Sequence, residues 1–197
     1  MTSIASETHF EDIIVESLTT QGGWRLGANS DYDPDTALIF DDLVRWLEIS
    51  APQNFNRLKA LDKWKDLLLK ALLDSLRDNG IVNTLHKDLI VRGIKFKLIQ
   101  YKPNGTSNPE LVDLYHKNQL TVLRQLHYSK FSKESKKSLD LALFINGIPI
   151  ATMELKTDNT QSVRKAMEQY REDRHVLVSG NPEPLFTFNL SCLAHFA

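Results

Sequence analysis

The run LDLALFINGIPIATMELK, residues 139–156, constrains this chain more than any other stretch. Two apolar segments flank Asn146-Gly147, and an Asn-Gly pair in such a setting is the strongest short-range signal for a β-hairpin. Strands this apolar on both faces are buried in a sheet covered by helices. Yet Asp140 opens the first segment, and Glu154 and Lys156 close the second. Charged groups near buried positions are costly unless paired or bound to metal. Three of them at one end of a hairpin mark a candidate site.

Geometry sharpens that expectation. Glu154 and Lys156 stand two apart on a strand, so their side chains share a face. A strict two-residue turn at Asn146-Gly147 pairs Asp140 with Met153 and leaves Asp140 and Glu154 on opposite faces. A three-residue loop or a bulge around Asn-Gly-Ile-Pro sets Asp140 directly across from Glu154. Two carboxylates and an ammonium then converge. Such a pair suits Mg²⁺, which takes oxygen ligands and keeps several waters for a substrate phosphate. A lysine beside the metal can orient or deprotonate the attacking water and neutralise developing negative charge. The plainer alternative is a hairpin with solvated, charged ends.

Asp140, thirteen residues, then Glu154-Leu155-Lys156 resembles the PD-(D/E)xK nuclease motif. Its context, SLDLALFINGIPIATMELK, resembles the nuclease region of the R (restriction) subunit of type I restriction-modification enzymes. The resemblance implies an α/β fold of the restriction endonuclease type, a central mixed sheet flanked by helices. It also implies Mg²⁺-dependent hydrolysis of DNA phosphodiesters. By match of motif, Asp140 and Glu154 hold the metal, together with the Leu155 carbonyl, and Lys156 assists the water.

Other segments extend the resemblance over nearly the whole chain. SETHFEDIIVESLTTQGGW is similar to the family's opening helix, RGIKFKLIQYKP to its first core strand, and NQLTVLRQLHYS to the strand that follows. In related nucleases a glutamate on the first helix lies near the metal. Glu7 matches that position best, with Glu11 one turn on as second choice; a solvated glutamate favoured by the helix dipole is the other reading. Related nucleases also carry Gln-x-x-x-Tyr on the helix after the motif. Here Ala166 stands four residues before Tyr170 and Gln169 adjoins it, a departure from that spacing. QYREDR still resembles one branch of the R subunits, which makes Gln169 and Tyr170 secondary candidates for contact with DNA. Tyr170 as a plain core residue is the alternative.

Composition decides where DNA contact must come from. A formal net charge of −1 gives no global attraction to nucleic acid, so any binding rests on a local basic patch or on a partner. Within 124–137, Arg124, Lys130, Lys133, Lys136 and Lys137 face only Glu134, and His127, Tyr128 and Phe131 are interleaved. This stretch reads as an arm touching phosphates or, more simply, as a solvated loop. The single cysteine, Cys192, rules out an intrachain disulfide framework and reads as a core residue. There is no N-terminal basic-then-apolar signal and no apolar run approaching ~18 residues, so the chain reads as cytoplasmic, with no membrane partner.

Periodicity predicts a helix over 3–20 with Phe10, Ile13, Ile14 and Leu18 on one face. The acidic stretch 29–50 lacks calcium-loop spacing and ends in a short helix over 41–47. A long amphipathic helix over 51–79 buries Leu58, Leu61, Trp64, Leu68, Leu72 and Leu76, with Gly80 as its C-cap. Strands are expected at 94–101, 118–126, 139–145, 149–156 and 185–196, and helices at 111–115 and 161–174. We expect one nuclease domain over 1–197, helical in 1–80 and sheet-forming in 89–197. The apolar run that ends the chain without turn or cap suggests a fragment. In the resembling subunits an ATP-driven motor follows this region. No G-x-x-x-x-G-K-S/T occurs here, so ATP would act only through that motor. The resemblance further implies DNA and the methylase and specificity subunits as partners. The rival reading is a non-catalytic DNA-binding or assembly module on the same fold.

Overall fold

The computed structural model describes residues 2–131, 138–155, 177–178, 180–187 and 192–196 and, on the first helix, side chains from Thr8 onward. The five-stranded sheet that carries the hairpin has the order β1-β4-β5-β6-β9. Its members are β1 (Arg25–Leu26), β4 (Leu120–His127), β5 (Ser138–Ile145), β6 (Ile148–Met153) and β9 (Ala194–Phe196). β4, β5 and β6 pair antiparallel, while β1 joins β4 and β9 joins β6 in parallel. The sheet is therefore mixed, as expected. Val122, Leu141 and Phe144 are almost completely buried, in keeping with strands covered on both faces.

Helix α1 (Thr2–Thr20) lies over one part of this sheet, where its Val15 clusters with Val122, Leu141, Leu143 and Ala151. The buried stripe is rotated from the one expected. Glu11 and Val15 are buried and Ile14 and Leu18 half-buried, whereas Phe10 and Ile13 are exposed at 45% and 49%. Spacing alone marks an amphipathic helix but not which of two adjacent rows faces inward; Glu11 goes inside because Arg124 and Gln125 hydrogen-bond it there.

The predicted helix over 51–79 is two helices, α3 (Pro52–Lys59) and α4 (Trp64–His86), preceded by α2 (Phe40–Ser50). Pro52 opens α3, where its missing N–H costs nothing. Lys63, in the left-handed region at φ 52°, turns the chain into α4. The break lets Phe55 and Leu58 of α3 enter the same core cluster as Leu68, Leu72 and Leu76 of α4, with Phe55 edge-on to Trp64 at 5.6 Å. One straight helix carries those side chains apart. Gly80 ends nothing: it is a kink at φ 74°, ψ 164°, and helix resumes to His86, burying Ile81 and Leu85.

The expected strand over 94–101 is also corrected. β2 (Asp88–Val91) and β3 (Ile94–Lys97) form a separate two-stranded hairpin around Arg92-Gly93, both at positive φ. Its alternate residues Leu89, Val91, Ile94 and Phe96 bury into the helical cluster, and Trp46 Nε1 of α2 donates to the Lys97 carbonyl at 2.8 Å. The hairpin thus spends its apolar face on helices, and β1 takes the sheet position beside β4 instead. Helix α5 (Pro109–His116) forms where expected, with the Asn108 side chain accepting from the Leu111 N–H. Of the run 185–196, Ala194–Phe196 is strand, while Leu185 and Phe186 sit buried in a turn after the short pair β7 (Leu177–Val178) and β8 (Asn181–Pro182). Cys192 is half-buried, and burial pushes its thiol up to about 11. The predicted helix over 161–174 lies outside the described residues. Among those described, no helix is long and apolar enough to cross a membrane.

Candidate active site

The hairpin's turn is anchored from three directions. Asn146 and Gly147 both take positive φ, 49° and 79°, the conformation of a type I′ turn. The Asn146 side chain is fully buried. It accepts from the Gln119 N–H at 2.7 Å and donates to the Leu98 carbonyl at 2.8 Å and to Asn118 Oδ1 at 2.9 Å. Gly147 accepts from the Ile39 N–H at 2.9 Å, and a Cβ there would stand 2.1 Å from the Ile39 carbonyl oxygen. Glycine is therefore required for both conformation and space.

From this turn the register runs Ile145↔Ile148 and Phe144↔Pro149, then shifts by one, to Leu143↔Ala151, Ala142↔Thr152 and Leu141↔Met153. Ile150 is the extra residue, a bulge next to a proline that cannot donate to the ladder. The shift supplies the change of parity that a shared site needs: the paired register ends at Leu141↔Met153, where β6 also ends, and continued one step it would place Asp140 across from Glu154. Both are half-buried. Asp140 Oδ2 accepts from the Leu155 N–H at 2.6 Å, which ties the aspartate to the Glu154-Leu155 backbone. The Glu154 N–H donates to the Phe196 carbonyl at 2.9 Å, continuing the pairing of β6 with β9.

On the other side of Asp140 is Gln125. Its Nε2 donates to Asp140 Oδ1 and to Glu11 Oε2, each at 3.0 Å, and its Oε1 accepts from Ser138 Oγ at 3.3 Å. Gln125 stands at φ 45° within β4, although the pairs Arg124↔Leu141 and Leu126↔Leu139 on either side keep one register. Leu123 and Leu126, an odd three apart, consequently enter the same core cluster, which an ordinary strand forbids. Sequence reasoning missed Gln125 entirely, because one polar residue in a strand carries no local signal of its partners.

The remaining predicted residues divide into three groups. Glu11, second choice for the first-helix glutamate, is 5% exposed; Glu7 lies on α1 one turn before it. Arg124 donates from Nε to Glu11 Oε1 at 2.6 Å and pairs through Nη2 with Asp12 at 2.7 Å. The hydrogen bond to Glu11 is the main influence holding its guanidinium pKa above the ordinary value. A phosphate at Arg124 must compete with two carboxylates. Lys130 pairs with Asp35 at 3.5 Å and lies over the Phe131 ring. Lys133, Lys136, Lys137, Lys156, Gln169 and Tyr170 lie outside the described residues.

A second charged cluster also escaped sequence reading. Asp42, 1% exposed, accepts from both Arg25 Nη2, at 3.0 and 3.1 Å, and Thr121 Oγ1, at 2.6 Å. It fastens α2 to β1 and β4, which gives the acidic stretch a structural purpose.

Asp140, Glu154 and the Leu155 carbonyl would offer a cation oxygen atoms only, the donor chemistry Mg²⁺ prefers. Among the described residues, no group of three or more His, Cys, Asp and Glu could hold a metal ion. A Mg²⁺ ion held by these two carboxylates would take the rest of its shell from water and substrate oxygens.

The model of a family described as type I restriction enzyme R protein N terminus matches residues 4–196. A curated protein of Methanocaldococcus jannaschii, named "Putative type I restriction enzyme MjaIXP endonuclease subunit", is 24% identical over 168 residues. That alignment covers 79% of this chain and 16% of the relative, so the chain spans a small part of that relative's length.

Proposed function

This chain belongs to the family of type I restriction enzyme R protein N termini, as its motifs led us to expect, and from that premise we propose that it is a Mg²⁺-dependent DNA endonuclease module. The observation that supports the reading most is the one-residue register shift at Ile150, which, continued one step past Leu141↔Met153, would bring Asp140 opposite Glu154. In the proposed reaction, water adds to a backbone phosphorus and the bond to one sugar oxygen breaks, leaving a phosphomonoester and a hydroxyl.

Asp140 and Glu154, with the Leu155 carbonyl, hold the metal, and Glu7 is a further candidate ligand. Bound Mg²⁺ supplies Lewis-acid polarisation of the phosphate and a more acidic water. Lys156 orients the attacking water and neutralises charge that develops on the phosphoryl oxygens. The Leu155 N–H and the Gln125 amide each donate to Asp140, so its carboxylate is held in one orientation before substrate arrives. Arg124, Lys130, Lys133, Lys136 and Lys137 contact the DNA backbone, with Gln169 and Tyr170 beside it. Recognition belongs to a specificity subunit working with a methylase subunit, and ATP-driven translocation to a motor elsewhere in the R subunit.

The test is plasmid cleavage by the assembled restriction complex with ATP and Mg²⁺. Asp140→Asn and Glu154→Gln each keep side-chain volume and remove charge. Loss of several kcal/mol of metal-borne stabilisation should cut the cleavage rate by roughly three orders of magnitude. ATP hydrolysis should persist. Full cleavage by either variant overturns the assignment. The second reading, a non-catalytic docking module, draws on the absence of a three-carboxylate group among the described residues and on the engagement of Arg124 by Glu11 and Asp12. It expects neither variant to matter for cleavage.

A further inference from the structure

Gln125 combines two observations that an ordinary strand residue does not explain. It holds a left-handed backbone, φ 45°, in the middle of an otherwise regular antiparallel pairing. Conformations of that kind persist where surrounding contacts impose them, and they cluster at functional sites. Here the contacts are specific. One amide nitrogen donates to two carboxylates from distant parts of the sequence, Glu11 of α1 and Asp140 of β5, both at 3.0 Å. Ser138 Oγ donates to the amide oxygen at 3.3 Å, which fixes which end of the amide faces the acids.

We propose that Gln125 is a positioning residue for the metal-binding carboxylate Asp140. This rests on the nuclease reading above and extends it to a residue outside the motif. Two carboxylates near each other repel, which favours rotation of one of them away from the other. A carboxamide cannot be protonated or lose its donors at ordinary pH, so it separates Glu11 from Asp140 without adding charge. Each Asp140 oxygen then has one lone pair bonded, by the Gln125 amide and by the Leu155 N–H, and another left for a cation. Hydrogen bonds of this kind to ligating carboxylates set metal affinity, and their loss typically costs 10–100-fold.

The experiment is calorimetric titration of the full R subunit with Mn²⁺, without nucleotide, for wild type, Asp140→Asn and Gln125→Met. Methionine keeps length and removes the donor. The binding event lost in Asp140→Asn identifies the site, and Gln125→Met should weaken that same event by roughly 10–100-fold. Thermal melts accompany each titration, since a merely structural role moves the melt and leaves the affinity. Gln125→Glu provides a second arm, with the same shape but a third carboxylate in place of the donor. It should melt below wild type without divalent cation, and Mn²⁺ should recover the difference. Wild-type Mn²⁺ affinity in Gln125→Met, with the event lost in Asp140→Asn, overturns the positioning role and leaves the nuclease reading intact. An event that survives Asp140→Asn overturns both. If Gln125→Met does not fold, a Gln125→Glu melt that matches wild type and ignores Mn²⁺ overturns the positioning role by itself.

Discussion

Asn146 carries more of the structure than its place in a turn suggests. Its side chain makes three hydrogen bonds, to Gln119, Leu98 and Asn118, from a fully buried position. A turn asparagine chosen only for its tolerance of positive φ is exposed and costs little to replace. Asn146→Ala instead strips the Gln119 N–H and the Leu98 carbonyl of their side-chain partners, and it places alanine at φ 49°. We expect a cost on the order of 3 kcal/mol, read as a fall in melting temperature of roughly 6–12 °C for a chain of this size. A shift below about 2 °C, the effect of a few tenths of a kcal/mol, contradicts the anchoring described here.

At the scale of the element, Gly80 discriminates between two pictures of α4. Glycine inside a regular helix is destabilising, and alanine there gains roughly 0.5–1 kcal/mol. The observed φ 74°, ψ 164° belongs to a region that only glycine visits readily. Gly80→Ala should therefore destabilise, by about 1–3 kcal/mol, and chemical denaturation reads the sign directly. A stabilised variant means that α4 runs straight. The kink matters because it lets Leu76 on one side and Ile81 and Leu85 on the other reach a single core cluster. The same logic separates α3 from α4 and turns the β2–β3 hairpin toward the helices.

For the whole molecule the balance of charge sets the expectation. Net charge is −1, and two of the five basic candidates, Arg124 and Lys130, already pair with carboxylates. Three to five phosphate contacts give a slope of log K against log salt of about −3 to −5. At physiological salt this chain should bind short duplexes without sequence preference, with Kd roughly 10⁻⁴ to 10⁻⁶ M. Titration at two salt concentrations measures both quantities. Tight, site-specific binding argues against placing recognition in another subunit.

What the chain determined by itself lies in short windows. Asn-Gly between apolar segments selects the hairpin and period 3.6 selects α1, because each depends on neighbours a few residues apart, while Asp140 and Glu154-Leu155-Lys156, at the two ends of that hairpin, mark the candidate chemistry by their match to a motif. Parity narrowed the hairpin to two registers but did not choose between them. The folded structure takes the bulged one, with Ile150 as the extra residue and its carbonyl accepting from the Leu193 N–H at 3.1 Å, just before β9. Gln125 meets Glu11 across 114 positions and Arg25 meets Asp42 across 17. Glu11 is buried for its partners, against the pattern that put Phe10 inside. Burial is a competition among all the apolar faces for a shared interior, and it is decided only when the elements have been brought together.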